Sequence, residues 1–90
     1  MELLKVSAKS SPSLVAGALA GVIRESGNAE LQAIGAGAVN QAVKAIAIAS
    51  GFLVEDKITI TCLPSFTEIP TEGDHPLTAI SFKVDSMKHE

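Results

Sequence analysis

One thiol, two imidazoles and ten side-chain carboxylates are the groups through which this 90-residue chain could do proton or nucleophile chemistry. Cys62 stands in an alternating apolar run with no histidine near it in sequence. No base is at hand to make a thiolate, and the residue reads as a buried small hydrophobe. His75 closes the turn Glu72-Gly73-Asp74-His75, but a metal site needs a second set of ligands, and no other segment supplies one. His89 lies in what reads as a frayed end. No pair of carboxylates, no Ser-His-Asp set and no phosphate-loop lysine stands at a spacing that would tune a catalytic pKa. The expectation is a protein with no enzymatic activity, no cofactor and no metal.

Two glycines and three lysines suggest binding instead. Gly35-Ala36-Gly37 falls where a strand gives way to a helix, and glycines there let a ligand approach backbone N–H groups at the positive helix end. A dinucleotide cradle would need a third glycine where Asn40 stands, together with a larger sheet. The segment is then either a tight structural turn or an anion contact to a nucleic-acid phosphate. In the second case Asn40 and Gln41, on the first turn of the helix, would share that contact with Lys9; in the first they are a solvated helix start. Lys5, Lys9 and Lys44 form one modest basic patch if the first strand lies beside the second, and are otherwise ordinary surface lysines.

The elements that must hold these residues follow from periodicity. Leu3-Leu4-Lys5-Val6-Ser7 alternates, with Leu4 and Val6 on one face, and reads as a first strand. Ser10-Ser11-Pro12 offers a hydroxyl cap and then a proline at the first helical position. Leu14, Val15, Ala18, Leu19, Val22 and Ile23 form a helical stripe that Gly27 stops near Ser26. Gly17 and Gly21 each cost the helix about 1 kcal/mol relative to alanine, so a close approach of another backbone, within the sandwich or of a second subunit, is expected there. A short strand over 29–34 leads into a second helix over about 38–50, with Ala42, Ala45 and Ala49 on a small face suited to packing in the sandwich or against a second subunit. Lys57 to Leu63 alternates until Pro64, and Leu77 to Val84 puts Ile80, Phe82 and Val84 on one face, so the last two strands form a long hairpin. The order β-α-β-α-β-β makes an α+β two-layer sandwich: a four-stranded mixed sheet with two helices on one face, in a single domain over 1–90 with 86–90 frayed.

Composition removes several function classes. Hydrophobic residues are 47% and charged residues 19%, enough apolar surface for a folded core and against disorder. Three phenylalanines are the only aromatics, too few for a base-stacking platform. The longest uncharged stretch, Ser10 to Ile23, is too short for a membrane span, and charges at Glu2 and Lys5 leave no secretory signal, so a cytoplasmic location is expected. Residues 1–54 carry four basic against three acidic side chains, whereas residues 55–90 carry three against seven. The net charge of −3 opposes general attraction to phosphate backbones, so any nucleic acid must be held weakly and by a local patch.

Lys5-Val6-Ser7-Ala8-Lys9-Ser10-Ser11-Pro12, Val15-Ala16-Gly17-Ala18-Leu19-Ala20-Gly21 and Ala33-Ile34-Gly35-Ala36-Gly37-Ala38-Val39-Asn40-Gln41-Ala42-Val43-Lys44-Ala45 resemble the bacterial stage V sporulation protein S family over nearly the whole chain. The resemblance implies a small cytoplasmic protein with a regulatory role in sporulation rather than a chemical activity. A more distant resemblance is to the Alba nucleic-acid-binding family, which shares the element order. There the loop after the first strand is lysine-rich; Ala8-Lys9-Ser10-Ser11-Pro12 keeps Lys9 and has Ser10 at the other basic position. The Alba segment opening the second helix is also basic, and Gly35 to Ala42 has lost those charges. The Alba hairpin embraces a duplex, whereas Glu68, Glu72 and Asp74 at this hairpin tip would repel one.

The candidate nucleic-acid-binding residues are therefore Lys5, Lys9, Ser10, Gly35, Gly37, Asn40, Gln41 and Lys44, for DNA or RNA. A homodimer or tetramer is expected, because so small a core gains from association. The alternative is a protein-interaction module that presents the acidic hairpin to a protein partner and binds no nucleic acid.

Overall fold

The computed structural model covers Met1–Glu90 and contains β1 (Leu3–Val6), α1 (Pro12–Ser26), β2 (Asn28–Ala33), α2 (Ala36–Phe52), β3 (Ile58–Ile69) and β4 (Leu77–Lys88). The expected β-α-β-α-β-β order and mixed four-stranded sheet are found. The sheet runs β1-β2-β4-β3, with β1 parallel to β2 and β4 antiparallel to both its neighbours. α1 carries the chain from β1 to the parallel β2. α2 then delivers β3 one strand position further out, and β4 returns to fill the gap between β2 and β3.

Both helices lie on one face. Ala29, Leu31 and Ala33 of β2 are fully buried beneath them, and the cross-strand partners Val84 and Phe82 extend that apolar row. α2 meets α1 and the sheet through Ala38, Ala42, Ala45 and Ala49, none more than 1% exposed. Small side chains let the two layers close tightly, while Leu19, Leu31 and Leu53 supply the bulk of the core, each worth about 1.5–3 kcal/mol on burial. The one buried polar side chain, Ser81, donates its hydroxyl to Glu30 Oε2 at 2.7 Å. No helix is long and apolar enough to cross a membrane.

α1 begins and ends where its sequence signals place it. Ser11 Oγ accepts from the Leu14 amide, Pro12 opens the helix, and Gly27, in the left-handed region at φ 81°, donates its N–H to Ile23 O. Four expectations need correction. Gly17 and Gly21 face open space, with nothing within 4 Å of where a Cβ would lie, so no backbone of this chain approaches them and packing within the sandwich, one of their two expected uses, is absent. β3 does not stop at Pro64 but runs on to Ile69; as an edge strand it tolerates a proline whose nitrogen faces away from β4. Cys62 is exposed, because the helix layer does not cover that part of the edge. The C-terminal segment is held: Ser86 Oγ donates to Gly27 O at 2.6 Å, β4 reaches Lys88, and the His89 amide donates to Lys57 O at 2.7 Å.

Candidate nucleic-acid interface

The loop joining β1 to α1 is a turn built from its own serines. The Ser7 amide donates to Ser10 Oγ at 2.9 Å, the Lys9 amide donates to Ser7 Oγ at 3.2 Å, and the Ser10 amide donates to Ser7 O at 3.1 Å. These bonds satisfy the backbone locally and leave Lys9 exposed on the loop.

The loop is fastened to the start of α2 at two points. Gln41 Nε2 donates to Ser10 O at 3.0 Å. A Cβ added to Gly37 would stand 2.9 Å from Ala8 Cβ, so only glycine allows this approach. Gly35 holds φ 88° and ψ 159°, a conformation open essentially to glycine alone, and it turns the chain from β2 into α2. Of the two readings of the glycine pair, the tight turn is present: Gly35 makes the bend and Gly37 the close approach.

That geometry leaves a local electrostatic feature. α2 has no side-chain cap, and neither helix carries an acidic residue in its first turn. The first amides of α2, at the exposed Ala36 and Gly37, therefore keep the partial positive charge of a helix start with no carboxylate to offset it. Lys9 is carried on the loop packed against that turn. Asn40 lies on the first exposed face of α2, and Lys44 follows one turn later on the same face.

Seven of the eight candidate residues thus fall on the two segments that meet here, Lys9 and Ser10 on one and Gly35, Gly37, Asn40, Gln41 and Lys44 on the other. Lys5 is not among them. It pairs with Gln32 on the sheet face away from the helices, since its neighbours Leu4 and Val6 turn inward, so the three lysines do not share one face. Gln41 has a different part from Asn40: its amide nitrogen holds the loop and its Oε1 accepts from Asn40 Nδ2 at 3.4 Å, so it positions rather than contacts. Ser7 and Ala8 were missed from sequence, although the Ser-x-x-Ser spacing that folds the turn was visible at Ser7 and Ser10.

The remaining chemistry is sparse. Although Cys62 is exposed, partial desolvation by neighbouring groups pushes its thiol above its ordinary range, away from the nucleophilic form. No cluster of three or more His, Cys, Asp or Glu side chains is placed to hold a metal ion. Arg24 and Asp56 form the one ion pair, 3.0 Å long and exposed, which ties α1 to the turn after α2.

The chain is a two-layer α+β domain in which the Lys9 loop is locked to the uncapped start of α2. The family model of Stage V sporulation protein S (SpoVS) matches residues 2–87. The chain belongs to that family, and with it to a group of sporulation-related regulatory proteins.

Proposed function

We propose that this protein is a non-enzymatic cytoplasmic regulator that binds DNA or RNA, weakly, through the Lys9 loop and the start of α2. The observation that carries the reading is the joining of Lys9 to the uncapped, acid-free N-terminus of α2 by the Gln41–Ser10 hydrogen bond and the Gly37–Ala8 contact. A phosphate seated there would meet backbone amides, the Asn40 side chain and an ammonium group together. With Lys9 and Lys44 as the only cations on these segments, affinity is modest and falls with salt at a logarithmic slope of about −2 for a duplex.

A protein-interaction role has one observation in its favour: the β3–β4 hairpin makes a molecule 50 Å long and carries Glu68, Glu72 and Asp74 toward its tip. Fluorescence anisotropy with labelled duplex DNA and with RNA at low salt separates the two. Binding that weakens in Lys9→Glu and with added salt supports the regulator of nucleic acid. No binding at low salt refutes it and leaves the hairpin reading.

A further inference from the structure

The two flanks of α2 are used differently. Gly37 and Gln41 lie on the flank that meets the β1–α1 loop, through the Ala8 contact and the bond to Ser10 O. Val39, Val43 and Ile46, spaced by four and three residues, form a stripe on the opposite flank, turned away from α1 and toward β3, the sheet edge farthest from β1. Ala38, Ala42 and Ala45, between the two flanks, are residues that α2 buries within the chain. Val39 and Ile46 are half-buried at the rim of the core, and Val43 is 51% exposed.

β3 continues this apolar surface. Pro64 pairs with the buried Phe82 and Phe66 with Ile80, so both stand on the helix side of the sheet. α2 stops short of covering them: Phe66 is 79% exposed, and Pro64, Ser65, Phe66 and Ile80 line an open groove of about 280 Å³. No charged side chain lies on this combined face, since β3 has none from Ile58 to Thr67 and Lys44 shares the face of Asn40. An ionic ligand would find no counter-charge there. The area in question suits a second protein surface. A folded monomer of 9.3 kDa exposes about 5,000 Å². This chain exposes 5684 Å², and the excess of roughly 700 Å² is close to the area of about 800 Å² that each partner gives to a standard interface.

We propose that two copies of this chain associate face to face through the α2 stripe and the hairpin groove, about a two-fold axis at Val43. Val43 then lies against its own counterpart, and each α2 is held between its own sheet and the partner's Pro64 and Phe66. The contact is self-complementary, as a two-fold requires: the helix ridge of one copy fills the groove that the other leaves open. The two sheets stay separate. Pro64 therefore remains on an edge strand, and no backbone group of β3 is asked to pair. The Lys9 loop sits against the far flank of α2, so both loops stay free and the dimer does not rest on the nucleic-acid reading.

Sedimentation equilibrium across the micromolar range tests it, with a mass twice the 9.3 kDa of one chain expected. Val43→Lys sets two ammonium groups against each other on the axis and should give a monomer with an unchanged far-UV spectrum, since Val43 is half exposed and lysine suits a helix. Phe66→Ala truncates the largest exposed side chain of the face and should raise the dissociation constant by about tenfold or more. Val43→Cys in a Cys62→Ser background should cross-link under mild copper-catalysed oxidation, whereas Leu14→Cys, on the outer face of α1, should not in the same background. The cross-linking pattern decides the matter if Val43→Lys fails to fold. A monomeric parent, a dimer that Val43→Lys leaves intact, or cross-linking at Leu14→Cys and not Val43→Cys overturns the proposal.

Discussion

Three helical glycines should respond to alanine with opposite signs. At Gly17 and Gly21 an added Cβ meets nothing within 4 Å, so the substitution gains only helix propensity, about 1 kcal/mol each. For a domain this size that raises the melting temperature by roughly 4–8 °C per site. At Gly37 the same methyl would stand 2.9 Å from Ala8 Cβ, whereas carbon atoms rest at about 3.5–4.0 Å. The contact cannot be relieved by a flexible side-chain end, because the opposing atom is itself a Cβ next to backbone. The loop must move outward by a large part of an ångström, which stretches the 3.0 Å bond from Gln41 Nε2 to Ser10 O. Overpacking of about 1–3 kcal/mol and part of a hydrogen bond worth about 1 kcal/mol outweigh the propensity gain. The net expectation is a loss of about 1–2 kcal/mol, or roughly 4–16 °C. Thermal melts followed by circular dichroism at one fixed protein concentration would measure all three. A Gly37→Ala protein as stable as Gly17→Ala would refute the packing of the loop on α2.

Other consequences are simpler. Gly35→Ala forces a Cβ onto a residue at φ 88°, and should destabilise by about 1–3 kcal/mol in chemical denaturation. Arg24→Ala removes an exposed ion pair whose members are 47% and 37% accessible, and should cost no more than about 1 kcal/mol, with the difference shrinking in high salt. The Cys62 thiol, raised above its ordinary range by burial, should alkylate at neutral pH more slowly than cysteine in a flexible peptide, and the rate should climb as pH rises. An alkylation rate matching the peptide would show that the thiolate is not disfavoured.

Local signals carried most of the fold. Ser11, Pro12 and Gly27 mark the ends of α1 because capping and left-handed glycine geometry act within a few residues. The apolar alternation of Leu4 with Val6 and of Phe82 with Val84 gave the buried face of the sheet. Errors arose where distant contacts decide. Pro64 is compatible with a strand only at an edge, and edge position depends on β4 inserting between β2 and β3. The outward aspect of Gly17 and Gly21 depends on which side of α1 meets α2, which residue type does not reveal. At the candidate interface Lys9, Gly35 and Gly37 stood out by type and spacing. The separation of Lys5 from Lys44 needed strand facing, and the tying role of Gln41 needed the loop and helix to be brought together by the fold.

The location of binding is the central claim. A two-dimensional ¹H–¹⁵N spectrum of the labelled protein, titrated at low salt with a short duplex and then with RNA, reads it residue by residue. Binding at the Lys9 loop and the start of α2 should concentrate the shifts at Lys9, Ser10 and the amides from Gly35 to Gln41, and Lys9→Glu should abolish them. Shifts confined to the hairpin between Glu68 and His75, or no shifts at all, would contradict it.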